Sequence, residues 1–588
     1  MTKTFSNQSA LPQLPIPELN DTMNKLLAAI KPLVSDTQFR ETTRAVKVFS
    51  EDSGDAQKLQ EKLMEWNQHM KGSWLKPFWD NLYLQARAPL HTSSNFNIIV
   101  DNQDFKNHYS VAKLAGKVSR SVAELYQAII SEEIEPEMVR NIPLDMSQYP
   151  NFFRSIRIPK LGRDEHYVAK LTNGPLHICL LYKGNIYKLP VSDDNNIMLT
   201  SEALSNTIES MFLAEDTTGQ NIGILTTAER NHAAEICEQL LNSKVHEENL
   251  QCIADSLVVI SIDEESKTPK EALKNLFVSG KNKWFDKTFQ IVITKTGEIG
   301  YSMEHTAIDG TTSFAVIQYI TEQLVKNEPE TIRITEKPII KKLQWELSDE
   351  LKEELMKLEN INKLTVADYY LDIRNFDTFG TDEMKRLKFS PDSFFHMALQ
   401  VAQYRTFGHM RSTYEAVSMR SFNEGRTECL RPSNAENLAL AKAMEEEERD
   451  LNYLYGLMQQ ASAAHSINMR EAQKGFGVER HVYGLEKIFE LYKEELEIGE
   501  MPKLFTDPGY ALLRHDYIST SNMSSPLVKS CIFGPVVEDG YGIFYTLLND
   551  RVGVNLSSYK RNEASARLLS DHLFQALEEL REIALQEM

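Results

Sequence analysis

Apolar and polar positions follow two periods along this chain, one near 3.6 residues and one of 2, so helices and strands are both expected. Asp21-Thr22 opens a helix ending near Ile30, ahead of Pro32, and Leu59, Leu63 and Trp66 mark another from Ala56 to Met70. Before them, Leu11-Pro-Gln-Leu-Pro-Ile-Pro17 is extended, because proline is excluded from helix interiors. From about Ser94 to Glu328 helices and strands alternate. Ile178–Tyr182 and Asn185–Leu189 flank Lys183-Gly184, a hairpin turn. Ile224–Thr227 precedes a helix from Ala228 to Leu241, and Leu257–Ser261 reads as a buried strand. Phe289–Ile293 runs into a turn at Lys295-Thr-Gly297-Glu. Glu328–Glu359, charged and carrying Pro329 and Pro338, suits a crossing between domains followed by a solvated helix. Ser390-Pro391-Asp392 caps a helix through Tyr404, Val528–Tyr545 returns to strand, and Glu563–Gln586 is a long amphipathic helix. The class is α/β or α+β, with at least two domains.

Composition narrows the function. At 588 residues and 42% hydrophobic the chain can bury a large core. Sixty-four basic against 84 acidic side chains give a net charge of −20, which argues against a nucleic-acid partner. A local basic pocket for a phosphorylated cofactor is still compatible with that charge. Cys179, Cys237, Cys252, Cys429 and Cys531 are odd in number, scattered and without a CxxC pair, the usage of a reducing compartment with neither a disulfide framework nor a zinc site. No stretch approaches a membrane span, the first residues lack an apolar signal core, and Leu-Gln-Glu-Met at the end is not the peroxisomal tripeptide, so cytoplasm is the expectation.

The candidate chemistry sits in Glu304-His305-Thr-Ala-Ile-Asp309-Gly310, just after the second arm of the expected hairpin. Imidazole, with an unperturbed pKa near ~6.5, can take a proton from a hydroxyl or thiol and return it. Asp309, beside a glycine, can fix the turn that aims the ring. On these residues alone a polar strand end with an Asp-Gly turn is the commoner reading. No second histidine lies at metal-ligand spacing from His305, so no metal is expected.

Further motifs carry a resemblance. Leu11-Pro-x-Leu-Pro-Ile-Pro17, Tyr83-Leu84-x-x-Arg87-x-Pro89-Leu90, Trp284-Phe-Asp286-Lys287, the His305 segment, Phe379-Gly380 and Ser390-Pro-Asp392 occur in order. Gly425-Arg426-Thr427, Ser519-Thr520-Ser521 and Phe533-Gly534-Pro535 follow. The set resembles the signatures of the choline/carnitine O-acyltransferase family and spans nearly the whole chain. Ala233, where that family typically has Trp, marks a divergent member.

The resemblance implies reversible acyl transfer between coenzyme A and the hydroxyl of a small quaternary-ammonium alcohol, without an acyl-enzyme. It implies two domains of similar, chloramphenicol-acetyltransferase-like topology with a tunnel between them, residues 1–90 plus 346–588 forming one and 91–345 the other. His305 matches the general base. Asp309 matches an acid that pairs with Arg426 in the family, and Ser521 matches the oxyanion donor. Ser519 matches a position facing carnitine, and Phe533 an aromatic near the trimethylammonium. Arg480, with Tyr414 and Thr427, matches the ligands of the carnitine carboxylate, and Arg480 is absent from choline-directed members.

For CoA, the resemblance points to basic residues ahead of the Ser-Pro-Asp helix. Thr381 replaces one usual lysine, leaving Lys385, with Arg386 or Lys388 as substitutes, and Asp392 toward the pantetheine end. Cys531 stands where acetyl-specific members have Met and longer-chain members Gly, which implies short acyl chains with some reach toward medium ones. No permanently bound cofactor is implied, CoA and acyl-CoA being co-substrates, and a monomer is expected. Two other readings stay open: another ammonium alcohol such as choline as acceptor, and a non-catalytic acyl-CoA-binding member.

Overall fold

The computed structural model describes residues 3–51, 54–102, 108–170, 174–325, 337–448 and 450–587. Residues 328–336, the start of the expected domain crossing, lie outside them. The chain packs into two compact units, the first formed by residues 1–9, 80–369 and 526–534, the second by 10–79, 370–525 and 535–588. The sequence reading places its divisions after 90 and 345, within contiguous chain.

The first unit is built on an eight-stranded mixed sheet. Its strand order is Lys341–Lys342, Asn185–Pro190, His177–Tyr182, Val259–Asp263, Phe289–Thr294, Ile299–Met303, Phe96–Val100 and Val528–Phe533. The two hairpins read from the sequence are present. Lys183 and Gly184 both take positive φ, +50° and +75°, which suits the tight turn between paired strands. Gly297, at φ +79°, turns Phe289–Thr294 back into Ile299–Met303. Val528–Phe533 joins this sheet because it pairs antiparallel with Phe96–Val100, Cys531 opposite Ile98 and Phe533 opposite Phe96. The helix Val111–Ile130, capped by Ser110, buries a broad apolar face against Ser201–Ala214 and Gly310–Val325. Ile224–Thr227, expected just before a helix, is part of a 3-10 turn, Ile222–Thr227, that leads to Arg230–Leu240.

The second unit holds a six-stranded mixed sheet in the order Tyr369–Phe376, Val552–Tyr559, Tyr541–Leu547, Ile518–Asn522, Thr413–Ser418 and Thr427–Leu430. Three of its inner strands, Thr413–Ser418, Ile518–Asn522 and Tyr541–Leu547, run parallel, and Val552–Tyr559 pairs antiparallel with the last of them. Glu563–Gln586 places Leu569, Leu573, Leu577 and Leu580 in the core at spacings of three and four, against the Pro391–Phe407 helix. Ser390 occupies that helix's N-cap position with Pro391 behind it, yet its hydroxyl makes no capping bond, so the cap expected from Ser-Pro-Asp is not formed through a serine side chain. Among the described residues no helix is long and apolar enough to cross a membrane.

Candidate active site

In the first unit the Ile299–Met303 strand runs between Phe289–Thr294 and Phe96–Val100 and ends two residues before His305. The imidazole is partly exposed, 28% for the side chain. Tyr83 stacks on one side of it, centroids 5.3 Å apart at 19°, and Phe96 meets it edge-on at 4.9 Å. The loop after it is pinned. Gln148 Nε2 donates to Asp309 Oδ2 at 2.7 Å, the Asp309 backbone N–H donates to Gln148 Oε1 at 2.9 Å, and Asn151 Nδ2 donates to the Ala307 carbonyl at 3.2 Å. Asp309 Oδ1 stands 3.7 Å from His305 Nδ1, too far for a hydrogen bond. Cys531 is buried two strands away from the strand that leads to His305, in register with Ile98 and, beyond it, Tyr301.

Beneath this loop lies a buried charge cluster that the sequence did not disclose. Asp164 accepts from Arg157 Nε and Arg230 Nε, both at 2.7 Å, and meets Arg87 at 3.0 Å. Arg230 also holds Asp286 at 2.7 Å, and Arg157 approaches Glu304, the residue before His305, at 3.4 Å. Glu304 further accepts from Thr306 Oγ1 at 2.6 Å and Ser94 at 3.3 Å. Three arginines therefore face three carboxylates. This accounts for two signature segments, Tyr83–Leu90 and Trp284–Lys287, whose charged residues Arg87 and Asp286 are partners in one cluster. Burial pushes the Asp286 carboxyl up to about 6, against the pull of Arg230. Lys287 Nζ instead caps a helix end, donating to the carbonyls of Ile253, Ala254 and Ser256 at 2.7–3.0 Å.

In the second unit Arg480 lies in the first turn of the helix Glu479–Tyr492 and is buried. Its Nε donates to the Thr427 carbonyl at 2.7 Å and a terminal nitrogen to the Tyr414 hydroxyl at 2.8 Å. The guanidinium carbon sits 4.0 Å over the Trp79 ring. Both side-chain hydrogen bonds thus end on neutral oxygens. Burial pushes the Tyr414 hydroxyl up to about 12, Arg480 opposing. Glu428, buried close by, accepts from the backbone N–H of Cys429 at 2.8 Å and of Arg480 at 3.3 Å, and burial pushes its carboxyl up to about 7 while Arg480 pulls it down. Tyr414 is in register with Ser519 on the neighbouring parallel strand. Ser519 and Ser521 alternate with Thr520, so Tyr414 and the two serines share one sheet face. Thr520, pointing the other way, donates to the Tyr414 carbonyl at 2.8 Å. Arg426 is buried, and Gly425 before it is required because a Cβ there would meet the Met419 carbonyl at 1.9 Å.

The residues expected at CoA divide. Lys385 and Lys388 are exposed, Arg386 is paired with Glu383 at 2.7 Å, and Thr381 is buried. Asp392 turns inward, accepting from His465 Nε2 at 2.8 Å and the Tyr545 hydroxyl at 2.6 Å. Burial would raise its carboxyl, but the His465 hydrogen bond and the nearby His396 hold it below the usual carboxylate range. Tyr545 also lies 2.9 Å from Glu415, which pairs with His396 at 2.8 Å. His305, Asp309, Cys531 and Phe533 therefore belong to the first unit, and Tyr414, Arg426, Thr427, Arg480, Ser519, Ser521, Lys385, Lys388 and Asp392 to the second. Tyr83, Gln148 and Glu428 are the neighbours that sequence reasoning missed. Only Tyr83, inside a signature segment, left a sequence signal.

A family model described as Choline/Carnitine o-acyltransferase matches residues 14–575. Carnitine O-acetyltransferase of Homo sapiens is 30% identical over 98% of this chain and 94% of its own length, and that of Rattus norvegicus is 30% identical over the same shares. Mitochondrial carnitine O-palmitoyltransferase 2 of Bos taurus is also 30% identical, over 95% of this chain and 90% of its own.

Proposed function

This chain belongs to the choline/carnitine O-acyltransferase family, and we propose that it transfers short acyl chains reversibly between coenzyme A and the hydroxyl of L-carnitine. The observation that carries the choice of carnitine is Arg480. A buried guanidinium whose two side-chain hydrogen bonds both end on neutral oxygens is suited to a carboxylate brought by a ligand, and Tyr414 and Thr427 stand around it. Choline has no such group.

In the proposed mechanism neutral His305 takes the proton of the carnitine hydroxyl as its oxygen attacks the thioester carbonyl. Asp309 stabilises the imidazolium so formed. The tetrahedral oxyanion accepts from the Ser521 hydroxyl, with Ser519 facing carnitine and Phe533 near the trimethylammonium. Collapse breaks the C–S bond, and the thiolate of CoA recovers the proton from His305. Each proton and electron pair is returned, so the reverse direction uses the same groups. Lys385 and Lys388 would receive the 3′-phosphate of CoA, and Asp392 the pantetheine end. Cys531, intermediate in size between Gly and Met, would restrict the acyl pocket to short and some medium chains.

The test is CoA thiol release from acetyl-, octanoyl- and palmitoyl-CoA with L-carnitine or choline, for wild type, His305→Ala and Arg480→Asn. Expected are turnover with carnitine, its abolition in His305→Ala, and a raised carnitine KM in Arg480→Asn. Release that is faster with choline than with carnitine would overturn the acceptor. No release above the His305→Ala background would overturn acyl transfer itself in favour of a binding protein.

A further inference from the structure

The five cysteines are far apart in sequence, yet two of them meet in the first unit. Cys179 lies on the inner strand His177–Tyr182, and Cys252 in the last turn of the helix Lys244–Asp255 packed against that strand. His177 is two residues before Cys179 and so shares its sheet face. One ligand-type atom from each of His177, Cys179 and Cys252 falls within 4.8 Å of the others. His177 Nε2 stands 3.5 Å from Cys252 Sγ and 2.9 Å from the Cys252 carbonyl oxygen. An acceptor carbonyl at that distance requires Nε2 to carry its proton, so the ring presents an N–H, and not a lone pair, toward the sulfur. Cys179 Sγ lies 3.8 Å from the same carbonyl.

This donor arrangement favours a thiolate at Cys252. Hydrogen bonding from Cys179 first, then from His177, holds the Cys252 thiol well below its ordinary range although burial opposes it. The partner is pushed the other way, Cys179 being raised by the Cys252 sulfur and by burial. Lys287, buried at the end of the same helix and pushed down to about 7 by that burial, opposes the rise at Cys179. Cys252 is partly exposed and Cys179 is buried. A thiolate at the less buried position backed by a fully buried thiol is the division of labour between an attacking and a resolving cysteine. Cys237 provides an internal contrast. It is also partly exposed, but burial pushes its thiol up to about 12.

We propose that Cys252 is a site of reversible oxidation by hydrogen peroxide, resolved by Cys179 into a disulfide that ties the His177–Tyr182 strand to the Lys244–Asp255 helix. The Cys252 thiolate attacks one peroxide oxygen, the O–O bond breaks, and hydroxide leaves as the sulfenic acid forms. Cys179 sulfur then attacks the sulfenic sulfur, its proton leaving with the expelled hydroxide as water. Overall two thiols and one peroxide give one disulfide and two waters. The peroxide is the oxidant, and a dithiol reverses the change. The proposal is independent of the acyl-transfer reading.

The experiment is peroxide titration of the native full chain, followed by alkylation, digestion and mass spectrometry. The expected product is a dithiothreitol-reversible peptide pair linking Cys179 and Cys252, with Cys252 consumed at least about tenfold faster than Cys237. Cys179→Ser should stop at a dimedone-reactive sulfenic acid on Cys252, and Cys252→Ser should form neither product. Equal oxidation of Cys237 and Cys252 without the linked pair would overturn the proposal. So would one zinc ion per chain in the purified protein that is lost in Cys252→Ser, which would make the cluster a metal site.

Discussion

Tyr83 lies nearly parallel to His305, its ring 5.3 Å from the imidazole and tilted by 19°. An offset stack of this kind contributes roughly 0.5–1.5 kcal/mol, here toward keeping the imidazole in one orientation. Tyr83→Ala should lower kcat by about 2- to 10-fold with the KM for carnitine little changed, and Tyr83→Phe should restore it. Steady-state kinetics of both variants check this; equal losses in Ala and Phe would show that the hydroxyl, not the ring, matters.

Gln148 holds Asp309 by both its amide atoms, a two-point clamp on the residue that faces His305. Gln148→Leu leaves a buried carboxylate short of a donor, at a cost of about 1–3 kcal/mol. The expected result is a kcat lower by about tenfold or more, with the KM for acetyl-CoA preserved. A variant with wild-type kcat would remove Gln148 from the positioning of the loop.

Asp164 is the shared acceptor of Arg157 and Arg230, whose side chains, like its own, are 0% exposed. Removing one member of a buried ion cluster leaves the others uncompensated, which typically costs about 3–5 kcal/mol. Asp164→Asn should therefore destabilise strongly in urea denaturation, while Arg87→Lys, at a partly exposed edge of the cluster, should cost far less. Comparable effects of the two would mean that the cluster is not the unit its geometry suggests.

Glu428 gives a pH dependence with a definite sign. Burial raises its carboxyl to about 7, so it is neutral below that pH and anionic above it, beside Arg480. If Arg480 receives the carboxylate of carnitine as proposed, an anion there competes with it, and the carnitine KM should rise as pH rises through about 7. Glu428→Gln should hold the low-pH value throughout. Because the folded value lies above the unfolded one, 4.5, the group's contribution to stability is full below 4.5 and lost as pH rises through about 7. Glu428→Gln should accordingly be the more stable form at pH 8. A wild-type KM independent of pH between 6 and 8 would contradict the assignment.

Much of the site was legible because local rules governed it. The hairpin leading to His305, the Lys183-Gly184 turn and the C-terminal helix Glu563–Gln586 each follow from periodicity and turn chemistry over fewer than about 25 residues. What escaped depended on distant pairing. Val528–Phe533 reads as a strand in isolation, but nothing local assigns it to Phe96–Val100. Asp164 has no motif around it, and its two buried arginines lie 7 and 66 residues away. Ser390-Pro-Asp392 is a local helix-cap pattern, but the aspartate finds His465 and Tyr545 through tertiary packing, which outweighs the local preference.

The segment Val528–Phe533 also has a consequence for synthesis. The sheet that carries the strand leading to His305 includes a strand that leaves the ribosome only after more than four-fifths of the chain has been made. The second unit is equally discontinuous, beginning before residue 80 and ending after 534. Neither unit can finish folding as an autonomous early product, and no single cut in the gene separates one from the other. Nascent chains must carry an unfinished sheet edge through most of translation, the stage at which exposed strands invite mispairing and chaperones are most needed.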